Sequence, residues 1–175
     1  IYKMPDTKRI VINTGPIIAL VAALGDLKVL RLLYIEVIVP FEVCQEILTG
    51  GALSFAVTQF NEADWLKKCP NALEISPYLK NSLDLGEASV IQMALTEKCR
   101  VVCIDETVGR RIAKLNGLML TGTVGILLRA KKEGLSFSMK DAIHRMISKG
   151  VWLGEGVIDF ALYHAGEKNF KSTPI

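Results

Sequence analysis

With 175 residues, half of them hydrophobic, the chain is long enough to bury one substantial core and short for two. A formal net charge of +3, with charged residues interspersed, leaves no basic arm or acidic tail, and it permits an acidic partner such as nucleic acid without demanding one. The four cysteines form no CxxC pair and stand apart from the two histidines, which argues against a zinc site and for free thiols in a reducing compartment.

Arg9–Ile12 reads as a buried strand, because three β-branched apolar residues run together. Gly15-Pro16 opens a helix with Ile17, Leu20, Val21 and Leu24 at helical spacing, proline being acceptable in the first turn. Gly25-Asp26 breaks it, and Leu27, Leu30, Leu32 and Leu33 mark a second short helix. Glu36–Val39 is a strand ended by Pro40, and Phe41–Leu48 a helix stopped by Gly50-Gly51. A less regular stretch follows, with a helix near Leu53–Phe60 and a weaker strand signal at Trp65–Lys68. Pro70-Asn71 reads as a turn and Pro77–Leu83 as a short helix, and Leu85-Gly86 leads into a long helix through Glu97.

Val101–Ile104 is a third central strand, Glu106–Leu115 its helix, and Leu118–Leu120 the next strand after the Asn116-Gly117 break. Thr121-Gly122-Thr123 opens a helix to Lys132, with Gly134 just past its end. Helices at Met139–Ser148 and near Gly156–Ala165 follow, and the polar segment after Gly166 is expected to fray. Repeated βα alternation predicts an α/β fold, a parallel sheet covered by helices, as one domain over 1–175 with its core at about 9–165.

Four apolar runs end beside an acid or its amide: VINTGP, VPFEVCQEI, LDLGEASVI and VCIDE. Asn13 and Asp105 directly follow strands, Glu46 rides on the helix after the second strand, and Glu87 sits near the start of the long helix. Ligands of α/β sheets bind outside the carboxyl ends of the strands, and oxygen donors converging there suit a hard divalent cation. Each residue also has a purely structural reading. Asn13 and Thr14 are good helix caps, Asp105 can cap the helix from Glu106, and Asp84 with Glu87 fits a capping box. Glu46 can be an ordinary solvated helix residue. Those readings, taken singly, leave unexplained why so many acceptors gather at strand ends, where carboxylates repel without a cation. Thr121-Gly122-Thr123 reads as an anion site or a cap, and Arg110, Arg111 and Lys114 as phosphate contacts or a solvated helix face.

Other α/β chemistries find no support. GxGxxG does not follow the opening strand, GxxxxGK[ST] and GxSxG are absent, and the opening strand lacks the acidic pair of a receiver. His144 and His164 fall in no motif and read as surface or packing residues. The longest apolar stretch, VINTGPIIALVAAL, is interrupted and too short to span a bilayer, and no charged n-region with a cleavage site stands at the start, so a cytoplasmic protein is expected.

The segments VINTGPIIAL, IVPFEVCQEI, LGEASVIQMA, VVCIDETVGRRIAKLNGL and LTGTVGILLRAKKEGL, in that order, resemble PIN-domain proteins, and more narrowly the PIN-like toxins of bacterial and archaeal toxin–antitoxin pairs. The resemblance spans about residues 9–165. It implies a three-layer fold with a central parallel sheet and a ribonuclease using Mg²⁺ or Mn²⁺. Its four acidic positions fall on Asn13, Glu46, Glu87 and Asp105, with hydroxyls at Thr14 and Thr123 flanking the pocket and Glu106 as an outer ligand or neighbouring acid. It further implies an RNA substrate, a cognate antitoxin laid across the groove, no membrane, and a homodimer for which Leu27, Leu30 and Leu33 are candidate packing residues. Asn13 departs from the pattern: an amide oxygen still ligates, but one negative charge is gone and metal affinity should fall. An active nuclease and a non-catalytic module binding RNA or a protein both follow at this point.

Overall fold

The computed structural model describes residues 7–50 and 54–168. The expected Gly51 break, a helix start at Leu53 and most of the polar tail lie outside the described residues. In chain order the elements are β1 (Arg9–Ile12), α1 (Thr14–Leu24), α2 (Lys28–Leu33), β2 (Glu36–Val39), α3 (Phe41–Leu48), α4 (Phe55–Glu62), β3 (Lys67–Lys68) and α5 (Pro77–Ser82). They continue with α6 (Leu85–Thr96), β4 (Val101–Cys103), α7 (Thr107–Leu115), β5 (Met119–Thr121), α8 (Thr123–Lys132), α9 (Met139–Ser148) and α10 (Glu155–His164). The strands form one sheet in the order β3-β2-β1-β4-β5, parallel at every pairing. Helices flank this sheet, giving the expected three-layer α/β architecture.

The central strands carry unbroken apolar runs because both faces are covered. Ile10, Val11 and Ile12 of β1, Ile38 and Val39 of β2, and Val102 and Cys103 of β4 are fully buried. Helix α6 packs on β1 and β4, with α3, α5 and α7 beside it, while α1 packs against α9, α4 and α8. Helix α1 is apolar on nearly every side, as its position among several helices requires. It ends where Gly25 takes a left-handed turn (φ 84°) and returns its N–H to Val21 O at 2.8 Å. The edges are blunt: β3 is two lysines long, shorter than the stretch expected from Trp65, and β5 is partly exposed.

Leu27, Leu30 and Leu33 are buried in the core, so they do not form the dimer face that the sequence left open for them; α2 turns them inward and leaves Lys28, Arg31 and Leu32 on its exposed side. Cys44, Cys99 and Cys103 are buried, Cys69 is half-buried, and the four form no disulfide among the described residues. At the amino ends of the strands, Arg9 holds Glu36 at 2.6 Å and Glu97 at 3.7 Å, and Lys67 meets the same two acids at 3.2 and 3.7 Å. Among the described residues no helix is long and apolar enough to cross a membrane.

Candidate active site

From β1 the chain proceeds to β2 on one side, whereas β4 and β5 lie on the other, so the direction of winding reverses between β1 and β4. A crevice at the carboxyl ends of those two strands is where such sheets bind ligands. Asn13 and Asp105 emerge there, and the Asn13 N–H donates to Cys103 O at 3.1 Å, tying the two strand ends together.

Asn13 occupies the N-cap position of α1, yet its side chain caps nothing. The residue is 7 % exposed, and its Oδ1 is buried without a hydrogen-bond partner among the described residues. That overturns the capping explanation of this amide. Its neighbour Thr14, also buried, donates its hydroxyl to Glu46 Oε2 at 2.8 Å and so draws the exposed end of α3 toward β1. The third contributor is the start of α6. A Cβ placed on Gly86 would lie 2.5 Å from Glu46 Oε2, 3.1 Å from Asn13 Oδ1 and 3.5 Å from Asp84 Oδ1. Three oxygens from three separate segments therefore surround one small space that only glycine leaves open.

Half of the predicted capping box forms. Asp84 Oδ1 accepts the Glu87 N–H at 2.8 Å, but the Glu87 carboxylate turns inward, where its Oε1 is buried without a partner and abuts Gly109. Burial pushes the Glu87 carboxyl up to about 7, and the negative charges of Asp84 and Glu106 add to the rise. Glu106 is thus the neighbouring acid of Glu87, at the N-cap of α7 but without a side-chain capping bond.

Asp105 behaves differently. Its Oδ1 accepts the Thr123 N–H at 2.8 Å and its Oδ2 the Thr123 hydroxyl at 2.6 Å. It therefore caps α8, across the sheet, rather than the helix that follows it in sequence. This also revises the expected anion site at Thr121-Gly122-Thr123, whose Thr123 donors are spent on a carboxylate of the same chain. Gly122 makes room for this contact, since a Cβ there would stand 2.6 Å from Asp105 Oδ1. Arg110, expected on phosphate, donates Nη1 to Ile104 O at 2.8 Å and Thr121 O at 3.2 Å, a use fixed by its place one turn into α7. Arg111 stays exposed beside Lys114, and both line, with Leu115 and Leu120, an open hollow of about 550 Å³. His144 and His164 lie exposed on α9 and α10, with His164 against the rings of Phe160 and Tyr163.

The donor set suits a hard divalent cation: carboxylate oxygens of Glu46 and Asp84 with an amide oxygen that has nothing else to bind. Among the described residues no three His, Cys, Asp or Glu side chains stand together as a metal cage, so the grouping depends on the Asn13 amide. A family profile for the PIN domain matches residues 9–167. The chain belongs to the PIN-domain family. No curated protein and no solved structure matches it. PIN domains are generally nucleases and typically use divalent metals, which places this PIN domain with the hydrolases in broad class.

Proposed function

We propose that this PIN domain is a Mg²⁺- or Mn²⁺-dependent endoribonuclease acting on single-stranded RNA, working in the cytoplasm as the toxin of a toxin–antitoxin pair. One observation carries the reading: at the carboxyl ends of β1 and β4, buried Asn13 Oδ1 and Glu87 Oε1 lack partners while Glu46 approaches the same mouth. Asn13, Glu46, Glu87 and Asp105 are the residues assigned to hold the ion, within one domain spanning the chain. A bound ion would supply charge neutralisation for the phosphoryl oxygens and an acidified water. Thr14 fixes Glu46, and Thr123 fixes Asp105. A carboxylate such as Glu87 or Asp105 would orient or deprotonate the attacking water. Arg111 and Lys114, on the open hollow along α7, offer sequence-independent phosphate contacts.

The test pairs cleavage with binding. A generic single-stranded RNA should be cut in Mn²⁺, spared in EDTA, and spared by Glu46→Gln and Asp105→Asn, while Asn13→Asp should raise metal affinity. Calorimetry with millimolar Mn²⁺ separates this from the rival prompted by the Asn13 amide, a non-catalytic module binding RNA or a protein. Absence of Mn²⁺ binding, or full cleavage in EDTA, overturns the proposal.

A further inference from the structure

Asp84 caps α6, a task that Asn at that position would perform equally well. Its capping oxygen Oδ1, however, also borders the small space shared by Glu46 Oε2 and the orphaned Asn13 Oδ1, over the backbone of Gly86. We infer that Asp84 is a metal ligand that supplies the negative charge missing at Asn13, so that Asn13, Glu46 and Asp84 form one cation seat with Gly86 as its floor. The inference rests on the metal-dependent reading above and adds to it a fifth residue.

Two arguments meet here. Asn13 is more than nine-tenths buried, and leaving its Oδ1 without a donor costs free energy that a cation, and not another acceptor, would recover. Two carboxylate oxygens that border one small space repel unless positive charge stands between them. The N-terminus of α6 favours negative charge nearby, which accounts for the acids but not for their shared focus with an amide oxygen. The amide contributes the oxygen from β1, and Asp84 contributes the charge from α6.

Mn²⁺ binding, followed by calorimetry and by the loss of the free-ion electron paramagnetic resonance signal, tests the inference without reference to catalysis. Asp84→Asn keeps a capping oxygen and should melt like the wild type, yet bind Mn²⁺ at least tenfold more weakly. Asp84→Ser, a second capping residue without the charge, should do the same. Adding Asn13→Asp to Asp84→Asn should restore most of the lost affinity. If both Asp84 variants bind Mn²⁺ as the wild type does while Glu46→Gln does not, Asp84 is a cap alone, and the nuclease reading survives. If the wild type takes up no Mn²⁺, both fall together.

Discussion

At the amino ends of the strands, Arg9 and Lys67 are shared between Glu36 and Glu97, and the Arg9 hydrogen bond holds the Glu36 carboxyl below its ordinary range. At the carboxyl ends, Glu46 and Asp84 border the space over Gly86, Glu87 abuts Gly109 and Asp105 abuts Gly122, while Arg110 spends Nη1 on backbone carbonyls. The first arrangement is complete in itself, whereas the second contains oxygens that nothing among the described residues satisfies. Charge paired within the fold maintains the fold, and charge left unpaired at a sheet's ligand-binding end awaits something from outside. Asp105 is instructive because it sits at the second end but is bonded like the first.

Three substitutions break or sharpen that contrast. Asp105→Ala should cost most, about 2–3 kcal/mol in urea unfolding, because it strips the buried Thr123 of charge-assisted partners for both its N–H and hydroxyl. A loss no greater than that of an average surface change would show that the α8 cap is idle. Glu87→Gln should act in the opposite direction. The folded protein keeps the Glu87 proton up to about pH 7, whereas the unfolded chain releases it near the ordinary carboxyl range. The native state therefore binds more protons between those values, and stability falls as pH rises through them. Metal-free Glu87→Gln should lose that decline and gain on the order of 2 kcal/mol at pH 8. Parallel pH–stability curves for the two proteins would refute this.

Glu36→Gln, at the amino end, should cost under ~1 kcal/mol, and the loss should shrink in high salt because the pairs are partly exposed. Since the Glu36 carboxyl is held low, its contribution is present at neutral pH and disappears as acid protonates it. Chemical unfolding at two salt concentrations checks both statements. An equal loss in 1 M salt would mean that Glu36 acts through packing.

The layered fold was readable because strand and helix periods differ and because Gly25, Pro40 and Gly117 punctuate them. The approach of Asn13, Glu46 and Asp84 to one point was less accessible. Asp84 does cap α6 as its position announces, and that local satisfaction conceals where its oxygen also faces. Asp105 seemed destined for the next helix, but the register of β4 beside β5 carries it to Thr123, eighteen residues on. Arg110 has the spacing of a solvated helix residue; only the carbonyls of Ile104 and Thr121, at the carboxyl ends of β4 and β5, draw it inward. In each case the deciding partner is distant along the chain, and no local pattern encodes it.

Three glycines border the mouth, and each stands directly against the oxygen of a different acid: Gly86 against Glu46, Gly109 against Glu87, Gly122 against Asp105. Two of them interrupt helices, where alanine would be worth up to ~1 kcal/mol more. At position 86 the obstacle to a methyl group is chiefly the movable tip of an exposed glutamate, so heat-resistant derivatives are within easy reach there. Breeding this protein for robustness alone would plug its own entrance, and any such programme should rank its descendants by ion uptake before melting temperature.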